Sequence, residues 1–131
     1  MAINFDKAFG IHQHTIGVRS ERAEVLASNI ANGNTPNYKA KDHDFKTALA
    51  NAQQGLSYSL NRTHNKHFKV DIAPQTSLKF RVPNQPDTGD GNTVDVQTER
   101  NMYLQNALEY QASIRFMDGK VKGLLKAISG Q

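Results

Sequence analysis

Apolar residues in this chain recur at alternating spacings of three and four at both ends, and at a spacing of two in between. Near the N-terminus, Ala2, Phe5, Phe9, His12, Ile16, Arg19, Ala23, Leu26 and Ile30 follow the first pattern, seven of the nine being apolar. That spacing gathers them on a narrow stripe, the seam of a coiled coil and not the broad face of a globular helix. A helix over about 3–32 is predicted. Gly10 and Gly17 fall inside it, each costing about 1 kcal/mol relative to Ala. The helix should stop at Asn32-Gly33, with Gly33 in the left-handed position beyond a helix end.

The middle segment, 33–92, mixes shorter signals. Pro36 cannot extend a helix and pushes Thr35 towards extended geometry, while Asn37 tolerates the left-handed region. Asp44 is placed to cap a short helix, Phe45 to Gln54, closed by Gly55. Residues 55–67 carry no clear period. Phe68 to Ile72 and Leu78 to Val82 then alternate apolar and charged positions, the mark of half-buried strands. Their five-residue connection predicts a small β-hairpin over about 68–82.

The last third carries the strongest pattern. Val96, Arg100, Tyr103, Ala107, Tyr110, Ile114, Met117, Val121, Leu124 and Ile128 alternate four and three without a break over four heptads. A helix over about 93–129 is predicted, some 50 Å long at ~1.5 Å per residue, with Asn92 as its N-cap. Lys120, Lys122 and Lys126 sit near its negative end, the favourable arrangement.

The fold class is therefore mainly α. Long N- and C-terminal helices pack as a coiled-coil-like pair, with a short middle helix and the hairpin, in a single domain over 1–131. Further apolar residues lie off both seams: Ile11, Val18 and Val25 on the first helix, and Leu104, Leu108, Phe116 and Leu125 on the second. Either they meet other subunits, or the second set packs beneath the hairpin and middle helix.

Composition sharpens this picture. Leu, Ile, Val and Phe total 29 of 131 residues, just above the roughly 20% below which highly charged chains tend to be disordered. The apolar material barely suffices for a core, and much of it is spent on two seams. The chain has no Cys, which excludes disulfides, a thiol nucleophile and Cys-ligated metals. No apolar run approaches the ~20 residues of a membrane helix. The start lacks the basic and apolar stretches of a cleaved secretory signal, so the chain is expected in the cytoplasm or exported by another route. A net charge of +4 concentrates in residues 39–81, which hold eight Lys/Arg against three Asp. An anionic surface or nucleic acid is the alternative partner that this charge suggests.

Catalytic chemistry finds little support. His64 and His67 stand three apart without an evident third metal ligand, and Lys66 between them opposes a cation. His43 lies between Asp42 and Asp44, but adjacent residues on a turn point apart. No Gly-x-Ser-x-Gly, phosphate-binding glycine loop or His-Glu-x-x-His motif occurs. Gly89 to Asn92 precedes a helix, yet Asp87, Asp90 and Asp95 give it the wrong charge for phosphate. No enzyme activity, cofactor or metal is expected.

One segment is more specific than its periodicity. Ser28-Asn29-Ile30-Ala31-Asn32-Gly33-Asn34-Thr35-Pro36-Asn37-Tyr38 resembles the N-terminal signature of bacterial flagellar rod and hook proteins, Asn-aliphatic-Ala-Asn-x-x-Thr-x-x-aromatic. The motif positions are Ser28, Asn29, Ile30, Ala31, Asn32, Thr35, Pro36 and Tyr38. Lys39 to Phe45 continues the likeness towards the basal-body rod proteins. So do Asp90 to Asp95, Glu99-Arg100, Asn106 to Ser113 and Lys122 to Leu124. Asn37 departs from it, standing where that family usually has Gly; Asn is the next best residue for a left-handed turn.

The resemblance implies a structural subunit of the proximal rod, exported unfolded by the flagellar export apparatus without a cleaved signal. It implies terminal helices that order on assembly. Assembly would be helical, one surface of each subunit meeting a different surface of the next. The rod would pass torque from the membrane ring to the hook and surround the export channel. Implied partners are other rod proteins, an adaptor of the FliE type and the membrane ring. The seam residues named for assembly are Phe9, Ile16, Leu26, Ile30, Tyr103, Ala107, Tyr110, Ile114, Met117, Val121, Leu124 and Ile128.

Overall fold

The computed structural model describes residues 9–54, 58–59, 71–72, 78–86 and 89–130. Seam positions Ala2 and Phe5, the closing Gly55, both His64 and His67, and residues 68–70 and 73–77 of the predicted hairpin lie outside them.

Three helices carry the described fold: α1 (Ile11–Ala31), α2 (Phe45–Gln54) and α3 (Val96–Ser129). Four short strands accompany them: β1 (Lys41–His43), β2 (Tyr58–Ser59), β3 (Asp71–Ile72) and β4 (Leu78–Phe80). Helices α1 and α3 run antiparallel: His12 stacks on Phe116, Arg19 pairs with Glu109 and Asn29 reaches Glu99, so partners descend along α3 as α1 ascends. The fold class is thus mainly α, with a long helix pair, a short middle helix and minimal sheet.

Several local expectations need correction. α1 does not run through Gly10, which adopts φ 55, ψ −136, a conformation closed to a helix and open to glycine. Gly33 is not left-handed; Asn37 is, at φ 60. Gly33 is demanded instead by proximity, since a Cβ there would lie 2.6 Å from Val96 Cγ2. α3 begins three residues later than predicted. Its N-cap is Asp95, whose carboxylate accepts from Gln97 N at 3.1 Å and Thr98 N at 3.3 Å. Asn92 is occupied elsewhere, as described below. At α2 the prediction and the structure agree: Asp44 Oδ1 accepts from Thr47 N at 3.3 Å and caps the helix.

Strand pairing also differs from a 68–82 hairpin. β4 pairs antiparallel with β1, Lys41 opposite Phe80 and His43 opposite Leu78, while β3 pairs with β2. Periodicity shows that a strand exists but not its partner. In this register Arg81, just past β4, reaches Asp42, and Lys79 reaches Asp44. The apolar side of β4 is not covered as a half-buried strand would require. Phe80 and Val82 are exposed, Phe80 lying under the Lys41 ammonium at 5.5 Å.

Among the described residues the buried apolar set is small: Val18, Leu26, Ala40, Ala48 and Val94. An equal number of the described polar residues is buried: Asn29, Asn92, Glu99, Asn106 and Ser113. The last three are spaced by seven on α3, so they form a single buried stripe against α1. Arg100, Ala107 and Ile114, the predicted seam positions one residue later, are rotated about 100° from it. Leu104, Leu108, Phe116 and Leu125 are all exposed rather than packed beneath the middle segment.

Candidate functional site: a polar knot beneath the signature turn

The signature residues converge at the C-terminal end of α1. Asn29, fully buried, is the centre. Its amide donates to Lys41 O at 2.7 Å and to Glu99 Oε2 at 3.1 Å. Its carbonyl oxygen accepts from Lys41 N at 3.2 Å and from the Tyr38 hydroxyl at 3.3 Å. A side chain that both donates to and accepts from one backbone unit imitates a strand neighbour, so Asn29 joins α1 to β1 as well as to α3. Ser28 Oγ lies 3.3 Å from the same Tyr38 hydroxyl.

The turn itself is stitched from both sides. Asn32 Nδ2 donates to Ser28 O at 2.8 Å, and Thr35 donates from its backbone and hydroxyl to Asn32. Across the fold, Asn92 Nδ2 distributes its two hydrogens among Asn32 O, Gly33 O and Thr35 O, at 2.9–3.1 Å. Its own carbonyl oxygen accepts from Val94 N at 2.8 Å. Carbonyls left over at the end of a helix need partners when buried; Asn92 supplies them from sixty residues away. Gly91, at φ 70, passes so close to Asn37 that a Cβ would meet Asn37 Oδ1 at 2.5 Å. Ile30 is half-buried, and Ala31 and Pro36 are exposed.

An ionic chain runs from this knot. Arg22 grips Asp42 with two hydrogen bonds, Nε to Oδ1 at 2.9 Å and Nη2 to Oδ2 at 3.0 Å. Arg81 Nη2 donates to the same Oδ2 at 2.8 Å, and Arg81 Nη1 to Glu99 Oε1. Burial pushes the Asp42 carboxyl upward, but hydrogen bonding and charge from Arg22 and then Arg81 outweigh it, and its pKa ends below the ordinary carboxylate value. The Arg22 pKa is raised, chiefly by its bond to Asp42. Asp44 is lowered to about 2, first by Lys79 and then by Thr47. Asp42 and Asp44 are thus each held below the ordinary carboxylate value by a partnering cation.

Further along the pair, Asn106 Nδ2 donates to Arg19 O at 2.9 Å. Asn106 Oδ1 and Arg19 Nε are both buried without a hydrogen-bond partner. Arg19 also lies over the Phe45 ring at 4.6 Å, which fastens α2 to α1. The sequence singled out Asn29 and Asn32 as motif positions, but not the burial of Asn92, Glu99 and Asn106. The one signal for the latter two is the spacing by seven of Glu99, Asn106 and Ser113, which puts them on a common helix face.

The seam residues divide. Leu26 is fully buried; Phe9, Ile16, Ile30, Ala107, Tyr110, Met117 and Val121 are half-buried. Tyr103, Ile114, Leu124 and Ile128 are exposed, Ile128 at 80%. Among the described residues, no group of three or more His, Asp or Glu is placed to hold a metal ion, and no helix is long and apolar enough to cross a membrane. The arrangement can hold elements in register and present an apolar flank.

Comparisons with known proteins bear on the same residues. Residues 19–39, from the middle of α1 through the signature turn, match the family model described as flagella basal body rod protein. Over 131 residues the chain is 56% identical to the flagellar basal body rod protein FlgB of Aeromonas hydrophila, covering 100% of this chain and 99% of that one. It is 36% identical to FlgB of Escherichia coli K12 over 135 residues (98% and 97%), and 34% identical to FlgB of Salmonella typhimurium over 137 residues (99% of each). Relatedness that runs the full length of both partners, through knot, ionic chain and long helices alike, places this chain in the FlgB family of flagellar basal body rod proteins.

Proposed function

We propose that this structural rod subunit assembles through the outward flank of α3, joining a continuous helical shaft that transmits torque and surrounds the export channel. The observation that carries the reading is an inversion. The side of α3 turned to α1 holds Glu99, Asn106 and Ser113, while Tyr103, Leu104, Leu108 and Ile114 face outward. A helix that buries polar groups internally and exposes leucines keeps its main hydrophobic contact for another molecule. Family membership supports rod neighbours as that molecule. The inferred partners are other rod proteins, an adaptor of the FliE type and the membrane ring, met in a periplasmic rod reached through the flagellar export apparatus.

The polar knot serves this role by rigidity. Torque passes through a subunit only if its elements cannot slide, and directional hydrogen bonds resist sliding better than an apolar seam does. Catalysis forms no part of this function. An Ile114→Asp chain, expressed in cells lacking the native protein, tests the reading. Loss of swimming with normal protein level supports it, and normal swimming refutes it.

A further inference from the structure

The two outer faces of the helix pair are unlike each other. On α1, the side away from α3 exposes Gly17, Ser20, Glu24, Ala27 and Ala31, spaced three, four, three and four. All but Glu24 are small, Gly17 has open space above it, and Glu21 adds a second exposed carboxylate alongside. On α3, the side away from α1 exposes Leu104, Leu108, Gln111, Arg115 and Asp118, spaced four, three, four and three. Leu104 and Leu108 are 61% and 60% exposed. Asp118 is already paired with Lys122 at 2.6 Å, so Arg115 is the uncompensated charge of this stripe.

Run antiparallel, the two stripes share one spacing. Leu104 then stands opposite Ala31, Leu108 opposite Ala27, Gln111 opposite Glu24 and Arg115 opposite Ser20. Large apolar side chains meet small ones, the complement that knobs-into-holes packing requires. Arg115 then stands beside Glu21, with Glu24 one helical turn further along the same face. A parallel arrangement loses both matches, since the acids lie N-terminal to the alanines on α1 whereas Arg115 lies C-terminal to the leucines on α3.

We infer that the outer face of α1 in one copy of this chain seats the outer face of α3 in the next copy, antiparallel, with Ala27 against Leu108. This deepens the rod reading and rests on it. Because the two faces lie on opposite sides of the same helix pair, the contact is heterologous and open-ended, adding copies in one direction.

The natural absence of cysteine allows a direct test by disulfide capture in assembled rods. A chain carrying Ala27→Cys and Leu108→Cys, oxidised in isolated basal bodies, is expected to yield a ladder of dimer, trimer and higher forms on non-reducing gels. Each single-cysteine chain is expected to stay monomeric, and so is the out-of-register pair Ala27→Cys with Arg115→Cys. Monomer alone from the in-register pair, or equal ladders from both pairs, overturns the inference. A charge exchange gives a second reading. Glu24→Arg and Arg115→Glu should each lower rod incorporation at least fivefold, and the two together should restore it to within about twofold. A double variant no better than either single one overturns the inference. If these tests fail while Ile114→Asp still abolishes swimming, the rod reading stands and only this contact falls.

Discussion

Asn29 and Glu99 meet 3.1 Å apart in the middle of the molecule, both essentially removed from solvent. One belongs to the signature segment at the end of α1 and the other to the first turn of α3. A buried carboxylate is tolerated only when it is hydrogen-bonded and paired. Asn29 provides the hydrogen bond and Arg81 the charge. The signature Asn therefore reads as the residue that lets an acid be buried between two helices.

Removing it should expose the dependence. Asn29→Ala strands Glu99 Oε2 and both polar groups of Lys41, so a loss of about 2–4 kcal/mol is expected from groups buried without partners. Thermal unfolding of purified protein checks this: the midpoint should fall by ten degrees or more. A change of one or two degrees would mean that the knot is not structural.

The register position Asn106 should behave in the opposite way. Its Oδ1 has no partner, so its amide contributes one bond to Arg19 O and leaves an uncompensated acceptor. Asn106→Leu is expected to leave the melting temperature unchanged or raise it, because apolar replacement of a partly satisfied buried polar group is often neutral or stabilising. What should be lost is uniqueness, visible as broadened amide resonances along α1 and α3.

Stability should fall in acid for a defined reason. Asp42 has a folded pKa below its unfolded one. Its contribution is thus complete above the ordinary carboxylate value of about 4 and is lost as pH falls through the lower folded value. Comparing denaturant midpoints of wild type and Asp42→Asn at pH 7 and pH 2.5 checks the sign. The wild type should lead at pH 7, with the gap narrowing in acid.

Gly33 is a matter of space. A methyl group there would stand 2.6 Å from Val96 Cγ2 and 3.3 Å from Ile30 O. Gly33→Ala should destabilise by about 1–3 kcal/mol through overpacking. Adding Val96→Ala should recover part of the loss, which a double-mutant cycle by chemical denaturation measures.

Much of this fold is written in local pattern. The existence of both long helices, the end of α1, the start of α3, the boundaries of α2 and the Asp44 cap follow from spacing and capping chemistry within a few residues, whereas the break at Gly10 does not. The rotation of α3 does not. Periodicity assigns the buried face to apolar positions, and here Glu99, Asn106 and Ser113 occupy it. Glu99 and Asn106 find their partners in Arg81, Asn29 and Arg19, residues 18 to 87 positions away in the chain. The same limit applies to the strands: alternation located β4 but not its neighbour β1, whose Asp42 and the following Asp44 meet Arg81 and Lys79 from across the pair. Asn92 could not be read as the clasp of the turn, because as a sequence feature it matches a helix cap equally well.

The inversion of α3 is tested most directly by pairing one function with one control. Leu108→Asp changes a side chain that is mostly exposed in the subunit. Its purified protein is expected to melt within about two degrees of wild type. In cells lacking the native protein, the same variant is expected to give no swimming and no rod in isolated basal bodies. Normal swimming by Leu108→Asp would contradict the claim that this outward face carries assembly.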